Sequence, residues 1–508
     1  LVILFTFGAS YVNAQKLSRD SLCNEFKYFI SLLEQTHPDP YSSFGGKVAF
    51  HQAAFNVEQQ LKAKDYTLDK YQDLLTSFII NLHDGHTYID SYQKRAKACY
   101  VKLTLKVIPD GLIVSGLPAD LSKYLGSGIV SIDGVPLDTL CNRVVKIASS
   151  ENIYGTYADI EYAFYKPSRL AVMFPNYEKQ KSIPVKIKTP KGNVAEISVP
   201  VTEDNRWDSK SDYVQLPLKS KYSKDDYIYY EAVNGKSAMY LRMKAILSKE
   251  CFLYMKENNM SYDGELKYLY KYVMKKDIPA NPDSAINGLP CYAELFRNML
   301  LEMKKNNIKN LIVDLRGNDG GWTPITLPTI YMMYGDAYLN KDMGTNFYRL
   351  ISPLYMAKCG TTLAKFNKDN NTDYRFGDYM FNDPSDDKQT IKEKREDFCK
   401  NSIGNSGNYI KDLDGKPVYT PKKIYVLTDE GTFSAAFHYT FYLWKMGAEI
   451  VGVPSSQAPN TFMEVTSFKL PYTKTEGSIS NSLQQFLPPT DKRAKVLWPD
   501  MMPTYNDY

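Results

Sequence analysis

The stretch Thr428-Asp429-Glu430-Gly431-Thr432-Phe433-Ser434-Ala435-Ala436 follows an apolar run, Ile424 to Leu427, and leads into a segment with helical spacing. A serine at that junction sits where unpaired backbone N–H groups and the helix dipole stabilise developing negative charge, as acyl transfer to a hydroxyl requires. Ala435 is the natural amide donor to such an oxyanion. The competing reading is that Ser434 merely caps the helix, a position serine favours. A second turn, Arg316-Gly317-Asn318-Asp319-Gly320-Gly321, closes the buried run Leu311 to Leu315. Residues without Cβ let backbone approach a ligand and aim amides at it, so Gly320 or Gly321 is the expected second donor. Asp314 and Arg316 read as an ion pair that holds this turn. The spacing Gly-x-x-x-x-Gly-Lys-Ser/Thr of a phosphate-cradling loop is absent.

A serine nucleophile needs a proton acceptor, most often imidazole. The chain has five histidines: His37, His51, His83, His86 and His438. His438 lies four residues past Ser434, and on a shared helix its ring leans back along the face and reaches the hydroxyl poorly. In Leu82-His83-Asp84-Gly85-His86-Thr87 the two histidines also resemble a metal pair, but no third ligand is suggested nearby, so no metal and no cofactor are expected.

The elements that position these groups follow from hydrophobic period. Leu22, Phe26, Phe29, Ile30 and Leu33 share one helical face that ends before Pro38, and a second stripe runs from Thr67 to Leu82 with Gly85 as its expected stop. Short alternating segments then follow: 101–107, 112–114, 129–132, 185–187 and 195–201. The polar run 205–226 reads as a linker. Beyond it strands (238–243, 311–315, 424–428) alternate with helices (291–305, 434–446), the pattern of an α/β layer with a largely parallel sheet. The polar segment 340–415 reads as a long insertion or lid. The expected organisation is a signal-peptide remnant (1–14), a helical module (15–98), a β-rich domain (99–204), the linker, and a catalytic domain (227–508).

Bulk properties remove several function classes. At 508 residues the chain exceeds one typical core. Lys and Arg number 62 against 57 Asp and Glu, interspersed in stretches such as 392–400, so no concentrated basic face suits nucleic acid. Leu1 to Phe7, then Tyr11-Val12-Asn13-Ala14, resembles the end of a signal peptide cut after Ala14. Extracytoplasmic location is therefore expected, without stable membrane insertion. Seven cysteines lack metal-type spacing and read as small buried hydrophobes.

Taken in order, several motifs carry a family resemblance: Thr36-His37-Pro38-Asp39-Pro40-Tyr41, Asp84-Gly85-His86-Thr87, the stretch Leu125 to Gly134, the 314–321 turn, the Ser434 turn, Ile450-Val451-Gly452 and Trp498-Pro499-Asp500. Together the sequence resembles the tail-specific, carboxyl-terminal processing serine peptidases, in particular their tricorn-like branch. The resemblance implies a ClpP/crotonase-like α/β core joined to a helical module and a PDZ-like domain that presents polypeptide substrate. It further implies Ser434 as nucleophile, Ala435 and Gly320 as oxyanion donors and His86 as base. Two positions depart from the pattern: Ala458 stands where the processing branch has its lysine, and Phe437 where an acidic residue is common. Glu464 is the candidate for the third catalytic residue. A scaffold without chemistry, binding a peptide or apolar ligand as the related retinoid-binding proteins do, is the alternative; oligomeric state is not readable.

Overall fold

The computed structural model describes residues 17–90, 98–203, 213–216, 224, 226–381 and 389–503. The expected signal remnant lies outside these residues, as does the expected linker except 213–216, 224 and 226; of these, Tyr213–Gln215 is no linker but a strand paired with Gly111–Pro118. Helix Arg19–Thr36 buries all five apolar positions read from its period. Phe26 and Phe29, fully buried, each contribute about 1.5–3 kcal/mol of transfer free energy. A helix not anticipated from period, Lys47–Ala63, packs beside it through Phe50, Ala54, Val57 and Leu61. Helix Leu68–Ile79 continues as a 3₁₀ turn, Ile80–Leu82. It stops at His83, whose φ of 52° is left-handed, and not at Gly85.

Three sheets follow. The first is eight-stranded and antiparallel, with Tyr100–Val101, Val194–Thr202, Ser182–Lys188, Gly128–Ile132, Gly111–Pro118 and Thr104–Ile108 in spatial order along its main path. The segment read as a single strand over 101–107 is two, broken at residues 102–103. Helices Leu137–Val144, Ile153–Ala163 and Pro167–Met173 lie within the same stretch of chain, which is therefore less purely β than its alternating segments suggest. The second sheet orders Ile228–Val233, Ala238–Met243, Asn310–Asp314, Lys423–Thr428 and Glu449–Gly452. Its first pair is antiparallel and the remaining three are parallel. Among the described residues, parallel ladders are thus confined to this one sheet, and the fold is mixed α/β.

The third sheet is antiparallel and joins the two ends of the chain. Glu476–Gln485 pairs along its length with Asn460–Lys469, and on its other edge with Tyr88–Ile89 and Asn346–Leu350. The segment read as a long insertion or lid therefore supplies two strands to this sheet, Asn346–Leu350 and Tyr379–Phe381. It also forms helices Pro353–Lys358, Leu363–Asn370 and Ile391–Asn401. The Tyr88–Ile89 pairing ties the helical region to this third sheet. Ile89 packs with Leu470 and Ile479 in the same apolar cluster as Phe26 and Phe78.

Candidate active site

Strand Lys423–Thr428 ends at a turn knitted to the neighbouring Gly-rich turn. The Asp429 carboxylate accepts from the Gly317 and Gly431 amides at 2.7 and 3.1 Å, the Thr432 hydroxyl donates to the Leu315 carbonyl at 3.0 Å, and the Phe433 amide donates to the Asn318 carbonyl at 2.9 Å. Asp314 and Arg316 form the expected ion pair, with Nη2 to Oδ2 at 2.7 Å, and the Tyr240 hydroxyl donates to the same buried carboxylate at 2.6 Å.

Ser434 follows this turn with φ 51° and ψ −122°, a conformation that costs a non-glycine residue about 1–3 kcal/mol. Helix Ala435–Lys445 begins immediately after, and the Ser434 side chain makes no capping hydrogen bond to it. The capping reading therefore fails, and the strained residue holds its hydroxyl free of the helix. Its own amide donates to Gln457 Oε1. Ala435, first in the helix, has no carbonyl a turn earlier to accept its N–H. Gly320 packs directly on this pair: a Cβ there would lie 2.7 Å from Ser434 Cβ and 2.9 Å from the Ala435 nitrogen. Only glycine fits, and its φ of 110° points the same way. The Gly320 amide donates to Asn318 Oδ1 at 3.0 Å, so that donor is occupied here. Gly321 has equally little room, since a Cβ would meet the Ile246 carbonyl oxygen at 2.3 Å.

His86 is brought to this turn from the far end of the sequence. Its ring stacks on Phe433, the residue before Ser434, with centroids 4.9 Å apart. The loop that carries it is fixed by Asp84, which accepts from the His86 amide at 2.8 Å and from the Thr87 hydroxyl. Thr87 Oγ1 in turn accepts the Ser480 amide at 3.0 Å. Buried His37 backs the same carboxylate, with Nε2 3.4 Å from Asp84 Oδ2. Burial would raise the Asp84 carboxyl, but His37, His86 and Thr87 hold it well below the usual carboxylate range. Neither ring nitrogen of His86 has a hydrogen-bond partner.

A family model described as Peptidase family S41 matches residues 291–493, a span that contains both Gly-rich and serine turns. The chain carries an S41 peptidase domain. It is a serine-type peptidase, a hydrolase. The solved structure of mature CPAF is 15% identical, with 96% of this chain and 94% of that one covered and a TM-score of 0.55. Mature CPAF complexed with lactacystin is likewise 15% identical, covers 95% and 94%, and has a TM-score of 0.53. At that identity the likeness speaks to the fold. No curated protein matches.

Within the S41 domain, His438 sits one turn past Ser434 but is fully engaged. Thr323 Oγ1 lies 2.8 Å from its Nδ1 and Gln484 Oε1 2.7 Å from its Nε2. Burial pushes its pKa down to about 4, so it is neutral at physiological pH. Glu464 lies at an irregularity of strand Asn460–Lys469 with φ 53°, and both its oxygens are gripped by the Arg349 guanidinium at 2.7 Å. Phe437 is buried in the core.

The carboxylate that faces His86 is instead Glu151, which the sequence reading did not single out. It precedes Asn152, the N-cap of helix Ile153–Ala163, and nothing in its spacing marks it. Glu151 Oε1 lies 3.7 Å from His86 Nδ1, and its side chain is 1% exposed. Its Oε2 accepts the Ala458 amide at 2.8 Å, at the very position where the processing branch has a lysine. Burial lowers the His86 pKa, but Glu151 and then Asp84 more than offset this and leave it raised. Donor atoms of Asp84, His86 and Glu151 fall within 4.8 Å of one another. With Asp84 committed to the His86 amide and the Thr87 hydroxyl, the arrangement is that of a carboxylate and imidazole pair.

The eight-stranded sheet reaches the Ser434 turn as well. Lys106, on strand Thr104–Ile108, pairs with Glu430 and lies 3.5 Å from Asp429 Oδ2. Burial and the Asp429 charge push Glu430 up to about 8, against the opposing pull of Lys106.

Proposed function

We propose that the protein is an exported endopeptidase that hydrolyses polypeptides through an acyl-enzyme on Ser434, with His86 as general base. The observation that carries this reading is the strained backbone of Ser434 combined with a hydroxyl that caps nothing. Strain of this kind persists where the surrounding structure fixes it, and it clusters at reactive residues. In the proposed reaction His86 takes the Oγ proton as Ser434 attacks the scissile carbonyl. The Ala435 amide and a Gly320 or Gly321 amide stabilise the resulting oxyanion. For Gly320 this requires its N–H to leave Asn318 Oδ1. The protonated imidazole then gives its proton to the departing amine, and water, activated by the same ring, releases the acyl group. The eight-stranded domain, read as PDZ-like, presents the substrate chain beside the Lys106 contact. Export predicts an N-terminus beginning at Gln15 in the mature protein, read by terminal sequencing.

Labelling with a fluorophosphonate at neutral pH tests the core claim. The folded protein is expected to be modified at Ser434, and Ser434→Ala is expected to lose both label and peptide hydrolysis, by about 10⁵-fold or more. A folded protein that stays unlabelled would instead support the reading of a binding scaffold.

A further inference from the structure

We propose that Glu151 is the positioning residue for the base: its carboxylate orients the His86 ring by receiving the Nδ1 proton, leaving Nε2 to take the proton from Ser434. The inference rests on the Ser434 and His86 reading above and extends it to a residue outside the matched span of 291–493.

Three independent features converge on Glu151. Its carboxylate is anchored from behind, since Oε2 accepts the Ala458 amide at 2.8 Å, while Oε1 has no hydrogen-bond partner and faces Nδ1 at 3.7 Å. A buried, unpartnered carboxylate oxygen is costly unless it meets a charge or a donor, and the imidazole is what it meets. Distances of this kind are often loose without substrate and shorten in the reacting complex. Gly85 is cut to fit this approach: a Cβ there would sit 2.9 Å from Glu151 Oε1 and 3.3 Å from the Phe433 ring. The glycine of the Asp84-Gly85-His86-Thr87 motif thus has a steric reason, a corridor for the carboxylate. Glu464 offers no equivalent, because both its oxygens are held by Arg349.

The charged and titratable groups that act on His86 are Glu151 from the loop before helix Ile153–Ala163, Asp84 from its own loop, and His438 from the nucleophile helix. Asp84 bonds the His86 backbone and His438 is neutral, so of the charged groups Glu151 is the one left to fix the ring's tautomer, with the Phe462 backbone as the other group acting on the ring. A carboxylate accepts Nδ1–H. A carboxamide in its place can still accept the Ala458 amide, but it turns an NH₂ toward Nδ1 and so favours the tautomer protonated at Nε2, which cannot accept from serine.

The test uses the full chain. Glu151→Gln is expected to lower kcat by about 10²-fold or more with KM within about threefold, and to move the acid limb of the kcat/KM profile to lower pH, with partial recovery in Glu151→Asp. Nitrogen-15 imidazole spectra of the unsubstituted protein, assigned with His86→Ala, give a readout independent of any variant's folding. They are expected to show neutral His86 protonated at Nδ1. Neutral His86 protonated at Nε2, or a Glu151→Gln enzyme with unchanged kcat and acid limb, overturns the proposal, as does the same loss arising from Glu464→Gln in its place. If His86→Ala keeps full activity, the base assignment itself has failed, and the role of Glu151 fails with it.

Discussion

His438 lies one helical turn beyond Ser434, with both ring nitrogens engaged by Thr323 and Gln484, whereas His86 arrives from a distant loop with neither nitrogen hydrogen-bonded and a carboxylate facing one of them. The near histidine is spent on hydrogen bonds, and the far one keeps both ring nitrogens out of them. Burial dominates at His438 and keeps it neutral, while at His86 the charges of Glu151 and Asp84 outweigh burial. Proximity along the chain therefore says little about which imidazole can take a proton. What decides is whether the ring nitrogens have been given other work.

The sharpest way to break this contrast is to remove each ring in turn. His86→Ala is expected to cost about 10³- to 10⁵-fold in kcat/KM, and His438→Gln less than about tenfold, measured on one peptide substrate. Comparable losses from both would erase the distinction. A smaller effect, about 10²-fold in kcat, is expected from Gly320→Ala, whose Cβ would displace Ser434 and the Ala435 amide together while leaving both imidazoles alone.

The smallest effect concerns stability. The folded-state pKa of His438 is depressed to about 4, so between the ordinary imidazole value and about 4 the unfolded chain binds the extra proton. Stability from this site is present above about pH 6.5 and declines as pH falls toward 4. Denaturant midpoints at pH 7 and pH 5 are expected to differ less in His438→Gln than in the parent. An identical slope in the two proteins would mean the ring is not held neutral.

Much of the Ser434 side was legible because it is local. The runs 238–243 and 424–428 became strands Ala238–Met243 and Lys423–Thr428, and helix Ala435–Lys445 begins one residue after Ser434. A strand, a turn and a helix in sequence order declare themselves through period and turn residues. The His86 side is a meeting of remote segments, and its key facts carry no local signature. Glu151 is one carboxylate in a short polar run, made important by Ala458 and His86. Arg349, which occupies Glu464, sits in a segment whose polar composition concealed strand Asn346–Leu350. Likewise, Gly85 looked like a helix stop and is instead the gap through which Glu151 approaches.

The ladder between Tyr88–Ile89 and Glu476–Gln485 has a consequence for biosynthesis. A ribosome making this chain delivers the imidazole loop early and the serine late, and the strand that clasps the two together later still. The loop of His86 and the helix of Ser434 are therefore clasped only once strand Glu476–Gln485, which pairs with Tyr88–Ile89 and contacts His438 through Gln484, has taken its place.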